Sequence, residues 1–387
     1  MINKPFGEIA ERDLQELINS GVPEGRNIDY KQQLPGTNDA DKKEFLADIT
    51  SFANTAGGDL IFGVSETQGL PTSILGLGVI DQDLELQRLD SVIQSGIEPR
   101  IRYHSRFVSS SVGPVLLIRI EKSWNSPHRV IFKGHDKFYA RNSTGKYPLD
   151  TSQLRTAFNL SQSVNDRIKS FRIDRIIEIQ ANRTPLPLPT GAKMILHCMP
   201  VEAFASPSEV DFLQYTKSPQ LFPPIAAGGW NHRINLDGLV SYNPSGDGVL
   251  SYTQLYRTGI IEAVEARLLN HTHEGRRMIP SVSYEEQLLE YIPICLGIFS
   301  RLKLNPPIVV ALTLVGVAGL IMGTSFFDFS IKEPIDRETL MLPETIVHDL
   351  NTPAVQVLKP IFDMVWNACG RAGSPNFDQN GNWVPRR

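Results

Sequence analysis

Apolar positions along the first half of the chain switch between two periods. Residues 8–20 place Ile9, Leu14, Leu17 and Ile18 at helical spacing before Gly21, which predicts a short amphipathic helix. Residues 43–54 repeat that spacing with Phe45, Leu46, Ile49, Phe52 and Ala53. Asn38, Asp39 and Asp41 offer N-cap chemistry upstream, and Asn54 with Gly57-Gly58 ends the helix. The period then changes. Asp59-Leu60-Ile61-Phe62-Gly63-Val64 and Val115-Leu116-Leu117-Ile118-Arg119-Ile120 read as strands, and Ile28 to Lys31 alternates so that Asp29 and Lys31 share a face. Further helices are predicted over 82–95, 148–159 (capped by Asp150 or Thr151) and 164–181.

After residue 181 the pattern changes character. Thr184-Pro185-Leu186-Pro187-Leu188-Pro189 reads as a rigid linker, because alternating prolines exclude a helix. Strands are predicted at 192–199 and 234–242, and 251–269 holds a turn at which Arg257 and Glu262 are placed to pair. Helices are predicted at 283–302, kinked by Pro293, and at 353–369. Residues 304–327 carry no charge and approach the length of a membrane span. Pro306-Pro307, three glycines and many β-branched residues favour instead a strand, a tight turn and a second strand.

The fold class expected is α+β: an N-terminal helix (1–20), a mixed domain with a twisted sheet (21–160), a bridging helix and Pro-rich linker (161–190), a second α+β domain (191–370) and a mobile polar tail (371–387). Its 387 residues, 41% hydrophobic, suffice for two or three cores. The three cysteines, Cys198, Cys295 and Cys369, are far apart and form no Cys-x-x-Cys pair, so neither structural zinc nor a disulfide framework is expected. Met1-Ile2-Asn3-Lys4-Pro5 lacks the apolar core of a signal peptide, and the location expected is cytoplasmic, with no membrane partner.

The net charge of −4 excludes a polycation, but the charge is unevenly spread. Residues 100–146 are rich in Arg and Lys, among them Arg119, Arg129, Lys133, Lys137, Arg141 and Lys146, with Glu121 and Asp136 the only acids. Trp124, Phe132, Phe138 and Tyr139 are interleaved, a pattern suited to phosphate contact and base stacking. The plainer account is a twisted sheet with one solvated basic face.

Two stretches carry the most specific signal. One is Glu24-Gly25-Arg26-Asn27-Ile28-Asp29-Tyr30-Lys31; the other is Phe52-Ala53-Asn54-Thr55-Ala56-Gly57-Gly58 with the strand Leu60-Ile61-Phe62-Gly63-Val64. With Lys137-Phe138-Tyr139-Ala140-Arg141-Asn142-Ser143, this order resembles the Schlafen AlbA_2 domain, over about residues 24–160, as found in the bacterial Schlafen-like family. The resemblance implies nucleic-acid binding, RNA favoured and DNA next, and a metal-dependent endoribonuclease acting on structured RNA such as tRNA. It assigns Glu24, Asp29 and Glu66 as a three-carboxylate site for Mg²⁺ or Mn²⁺, with Lys31 stabilising phosphate charge. Asp stands where the family has the second Glu, and Glu where it has the Asp, so each carboxylate moves by about one methylene. Two alternatives stand beside this: a non-catalytic DNA-binding transcriptional regulator, and a nucleotide (ATP)-binding interaction protein, although no Walker sequence is present. A homo-oligomer is compatible with either.

Overall fold

Apolar runs such as Val115–Ile120 are continuous because their strands are buried on both faces. The computed structural model describes every residue except 3, 206–208, 247, 274, 324–332 and 386–387. The chain divides into two units, residues 1–163 and 164–387.

In chain order the first unit holds α1 (Glu11–Asn19), β1 (Ile28–Lys31), α2 (Asp39–Ala53), β2 (Gly58–Phe62), β3 (Val64–Thr67), β4 (Leu70–Ile74) and α3 (Gln82–Gly96). There follow β5 (Ile97–Glu98), β6 (Tyr103–Val108), β7 (Val115–Ile120), β8 (Arg129–Phe132), β9 (His135–Asn142), β10 (Gly145–Pro148) and the start of α4 (Thr151–Gln180). One sheet has the order β1-β2-β7-β6, a second has β10-β9-β8-β5, and β3 and β4 form a separate hairpin. Alternate residues of the first sheet serve two cores. Leu60, Phe62, Leu116, Ile118 and Ile120 pack with Phe45, Leu46, Ile49 and Phe52 of α2 and Leu89 and Ile93 of α3. Ile28, Tyr30, Ile61, Val115 and Leu117 pack with Ile9 and Leu14. Asn38 caps α2 by accepting from the Asp41 amide at 2.9 Å.

The second unit continues with the end of α4, β11 (Lys193–Pro200), the single turns α5 (Glu202–Ala205) and α6 (Gln214–Lys217), β12 (Asn231–Asn235), β13 (Gly238–Ser245), β14 (Gly248–Tyr256) and β15 (Ile261–Glu265). Next come β16 (Thr272–His273), β17 (Arg276–Pro280), α7 (Ser281–Arg301), β18 (Ile308–Val315), β19 (Ile321–Gly323), β20 (Thr339–Met341), β21 (Thr345–Val347) and α8 (Ala354–Asn367). Its main sheet is antiparallel, in the order β12-β13-β14-β15-β11-β18-β20, with β21 also on β18. One face packs Met194, Leu196, Leu255 and Leu312 with Leu288 and Ile292 of α7 and Ile361 and Val365 of α8. The other packs Ile195, Val240, Tyr252 and Val264 with Ile176 and Ile179 of α4.

Several expectations are corrected. The helices expected at 148–159 and 164–181 are one, α4. The Pro-rich segment is no free linker: Leu186 and Leu188 are buried in the core under α4, and the Pro187 carbonyl accepts from the Val249 amide at 3.0 Å. Arg257 and Glu262 do not pair; Glu262 is fully buried and binds Arg175 at 2.8 Å. The uncharged run at 304–327 supplies strand β18, between β11 and β20, but β19 pairs in parallel with β17 and makes no hairpin with β18; its last residues lie outside those described. No helix among the described residues is long and apolar enough to cross a membrane. The tail is anchored: Asn376 Nδ2 and Trp383 Nε1 donate to the buried Glu285 carboxylate at 2.9 and 2.8 Å. All three cysteines are buried and free.

Candidate nucleic-acid interface

The Phe-Ala-Asn-Thr-Ala-Gly-Gly stretch joins α2 to β2, and each residue has a mechanical task. Asn54 ends α2 and turns its amide outward. Its Nδ2 donates to the carbonyls of His128 at 2.8 Å and Tyr139 at 2.9 Å, while Oδ1 accepts from the His128 amide at 2.7 Å. The Thr55 hydroxyl accepts from the Arg141 amide at 2.9 Å. Gly57 has φ +69°, which favours glycine. A Cβ on Gly58 would lie 2.5 Å from the Phe52 ring and 2.6 Å from the Asn27 carbonyl oxygen. These glycines allow close packing of backbone on side chain.

Arg141 links the pieces. Its guanidinium donates to Asp29 Oδ2 at 2.7 Å, to Asp48 Oδ1 at 3.5 Å and to the Gly25 carbonyl at 3.2 Å. It stacks 4.2 Å above the Phe52 ring, and its side chain is only 2% exposed. Lys31 donates to Asp29 Oδ1 at 2.8 Å, and Lys146 donates to Asp48 Oδ1 at 2.8 Å.

Protonation follows from this packing. Burial raises the Glu24 carboxyl from 4.5 to about 7, helped by a hydrogen bond it shares with Asp29 and opposed by the Tyr30 amide. Burial pushes Asp29 up, but Arg141 and Lys31 outweigh it and hold the carboxyl below its usual range. Asp48 is raised, because burial outweighs the attraction of Lys146. The Lys31 ammonium is disfavoured by burial, yet Asp29 and Asp48 hold it above its usual range.

Of the three acids assigned from the resemblance, Glu24 and Asp29 share a hydrogen bond, and Gly69 joins the other pair, accepting from the Glu24 amide at 2.7 Å and donating to Glu66. Glu24 Oε1 accepts from the Tyr30 amide at 2.8 Å. Both Asp29 oxygens are occupied by cations. Glu66 caps its own hairpin turn, accepting from the Gly69 amide at 2.6 Å. Among the described residues no group of three His, Cys, Asp or Glu side chains is placed to hold a metal ion. Lys31 and Arg141 already neutralise Asp29, so a Mg²⁺ or Mn²⁺ ion held by Glu24, Asp29 and Glu66 would compete with both cations.

The basic segment is also rearranged. Arg119 is a structural cation, bound to the buried Asp59 at 2.7 Å and to the Lys4 and Ile2 carbonyls. Arg141 is buried, so it is no surface contact. Arg129 pairs with Glu98 and Asp136, Lys133 with Asp39, and Lys146 with Glu44 and Asp48. Of the six cations picked from the sequence, Lys137 alone is exposed with no ion pair among the described residues.

Sequence reasoning missed an open cleft of about 580 Å³ beside this network. Arg26, from the loop before β1, lines it with Asn142 and Ser143 from the end of β9 and Tyr147 from β10. The first turns of α4 add Ser152, Gln153 and Thr156. Asp150 caps α4, exchanging hydrogen bonds of 2.8 and 3.0 Å with Gln153. Arg26 is exposed and has no ion pair among the described residues. Its place inside the Glu24–Lys31 stretch was the available signal.

A four-stranded mixed sheet, braced by an arginine-centred charge network and an Asn-Thr-Ala-Gly-Gly turn, defines the class of domain. Residues 24–150 match the family Schlafen, AlbA_2. The chain is a Schlafen AlbA_2 domain-containing protein. Among solved structures it is similar to the N-terminal domain of a RecG-related protein, described as an ATP-dependent DNA helicase, from Nitrosomonas europaea. The identity is 21% over 33% of this chain and 83% of that one, with TM-score 0.27. It is also similar to the DIP2311 protein from Corynebacterium diphtheriae, at 19% identity over 36% of this chain and 27% of that one, with TM-score 0.25. No curated protein matches the chain.

Proposed function

We propose that the AlbA_2 domain binds nucleic acid, RNA in preference to DNA, in the cleft beside Arg141, with no cleavage by a three-carboxylate metal site. The observation that carries this reading is a contrast among cations. Arg119, Arg129, Lys133, Arg141 and Lys146 are each spent on carboxylates, whereas Arg26 has no ion pair among the described residues and stands at a cleft lined by hydroxyls and amides. An exposed guanidinium takes a phosphate oxygen, hydroxyls and amides take further phosphate or sugar oxygens, and Tyr147 offers an aromatic face for a base. The preference for RNA, structured RNA such as tRNA included, rests on the family resemblance alone.

The test is fluorescence anisotropy with labelled tRNA, single-stranded RNA and single-stranded DNA across a salt series. Wild-type protein is expected to bind with strong salt dependence, and Arg26→Ala to weaken binding and lower the salt slope by about one. Parallel incubation in Mn²⁺ and in EDTA, with Glu24→Ala alongside, is expected to leave the RNA intact. Metal-dependent cleavage that Glu24→Ala abolishes overturns the non-catalytic part; absence of binding by any of the three probes overturns the whole.

A further inference from the structure

Lys193 opens strand β11 of the second unit, and among the described residues no carboxylate pairs with its side chain. The residue is 7% exposed. Its ammonium makes one hydrogen bond, to the Gly191 carbonyl at 3.3 Å, and no ion pair among the described residues. Burial alone pulls it below the usual lysine range, with no anion opposing the shift. Other buried charges described in this unit are well partnered: Glu262 meets Arg175 and His197, Arg172 meets Glu344, and Glu285 accepts from neutral donors such as Trp366 and Asn376.

The uncompensated ammonium borders a cavity of about 280 Å³. Gln180 and Asn182 at the end of α4, Thr190, Gly191 and Gly316 line it with Lys193. Arg277 adds a second cation close by, donating to the Gly316 carbonyl at 3.0 Å. The exposed Glu338 is the acid among the described lining residues. At about 30 Å³ per water, the space admits a compact molecule of roughly ten non-hydrogen atoms.

We propose that this cavity is a binding site for a small oxyanion, a carboxylate or phosphate group that seats on Lys193 and is held by the neighbouring amide and hydroxyl side chains. The site belongs wholly to the second unit and does not depend on the nucleic-acid reading. A buried lysine without a counter-ion is costly, and an anion removes that cost by supplying the missing charge. Glu338 at the rim selects against ligands that present a second negative charge there.

Thermal unfolding followed by tryptophan fluorescence tests this, since Trp230, Trp366 and Trp383 report on the second unit against Trp124 on the first. Inorganic phosphate and acetate are titrated separately against sodium chloride at matched ionic strength. An oxyanion at about a hundred times its dissociation constant is expected to raise the melting temperature by roughly 5–10 °C over chloride. Which of the two acts identifies the group. Lys193→Met, which keeps the length of the side chain and removes the charge, is expected to abolish the rise. Should that variant fail to fold, acetylation of Lys193 in the wild type, read by peptide mass spectrometry, is expected to slow at least fivefold in the same oxyanion. No rise above chloride with either probe overturns the proposal, as does a rise that survives in Lys193→Met or a Lys193 acetylation rate unmoved by the anion.

Discussion

Glu24 is the residue whose chemistry depends most on its neighbours. Its carboxyl is raised from 4.5 to about 7 by burial and by the hydrogen bond with Asp29. A carboxyl whose folded pKa lies above its unfolded value favours the folded state while protonated. That stability is therefore present below about pH 4.5 and is lost as pH rises through about 7. Glu24→Gln keeps the shape and the hydrogen bond to Asp29 without the charge. The variant is expected to be more stable than wild type at pH 8 and close to it at pH 4.5, by urea denaturation at both values; equal midpoint differences at the two pH values would remove the shared-proton account. Arg141→Ala works in the opposite direction. It leaves Asp29 and Asp48 buried without their shared cation, and is expected to cost about 3–5 kcal/mol. Because the cleft wall depends on that network, its nucleic-acid binding should be measured only where the variant is shown to be folded.

At the scale of elements, the turn between α2 and β2 shows why glycine and asparagine stand there. Gly58→Ala places a methyl inside contact distance of the Phe52 ring and the Asn27 carbonyl, and neither can retreat without moving α2 or β1. A loss of at least about 2 kcal/mol is expected from that overpacking, read as a lower denaturation midpoint with unchanged slope. The helix and strand of this turn were legible from periodicity, because α2 buries a stripe at helical spacing and β2 is apolar on both faces. Asp29 and Lys31 do share a face, and they pair on it. What the sequence hid was partnership. Arg119 opposes Asp59 across two strands far apart in the chain, and Arg141 reaches Asp29 from the far end of the domain. Local charge counting treated both as surface cations. The continuity of α4 across 159–164 was missed for a related reason: polar residues in its middle looked like a break, although nothing in them stops a helix.

At the scale of the whole molecule, both units hold buried acids satisfied by donors distant in sequence. Glu262 is held down to about 2, since His197 and Arg175 outweigh full burial. Glu285 is the more exposed to experiment, because the chain's last residues satisfy it. Ser374, Asn376 and Trp383 donate to it at 2.7, 2.9 and 2.8 Å, beside Trp366 at 2.9 Å from α8. Deleting residues 374–387 removes three of these donors and leaves the carboxylate at the core between α7 and α8. Losing the partners of a buried charge costs about 3–5 kcal/mol, which for a unit of this size lowers its melting temperature by on the order of 10 °C. Calorimetry on the truncated chain should show that drop in the second unit's transition and none in binding of nucleic acid by the first. Adding Glu285→Gln to the truncated chain removes the stranded charge and should recover part of the loss, whereas the same substitution in the full-length chain should only destabilise. A truncated chain that melts with the full-length protein would mean that water serves Glu285 as well as the tail does, and that the tail is a passenger on the fold.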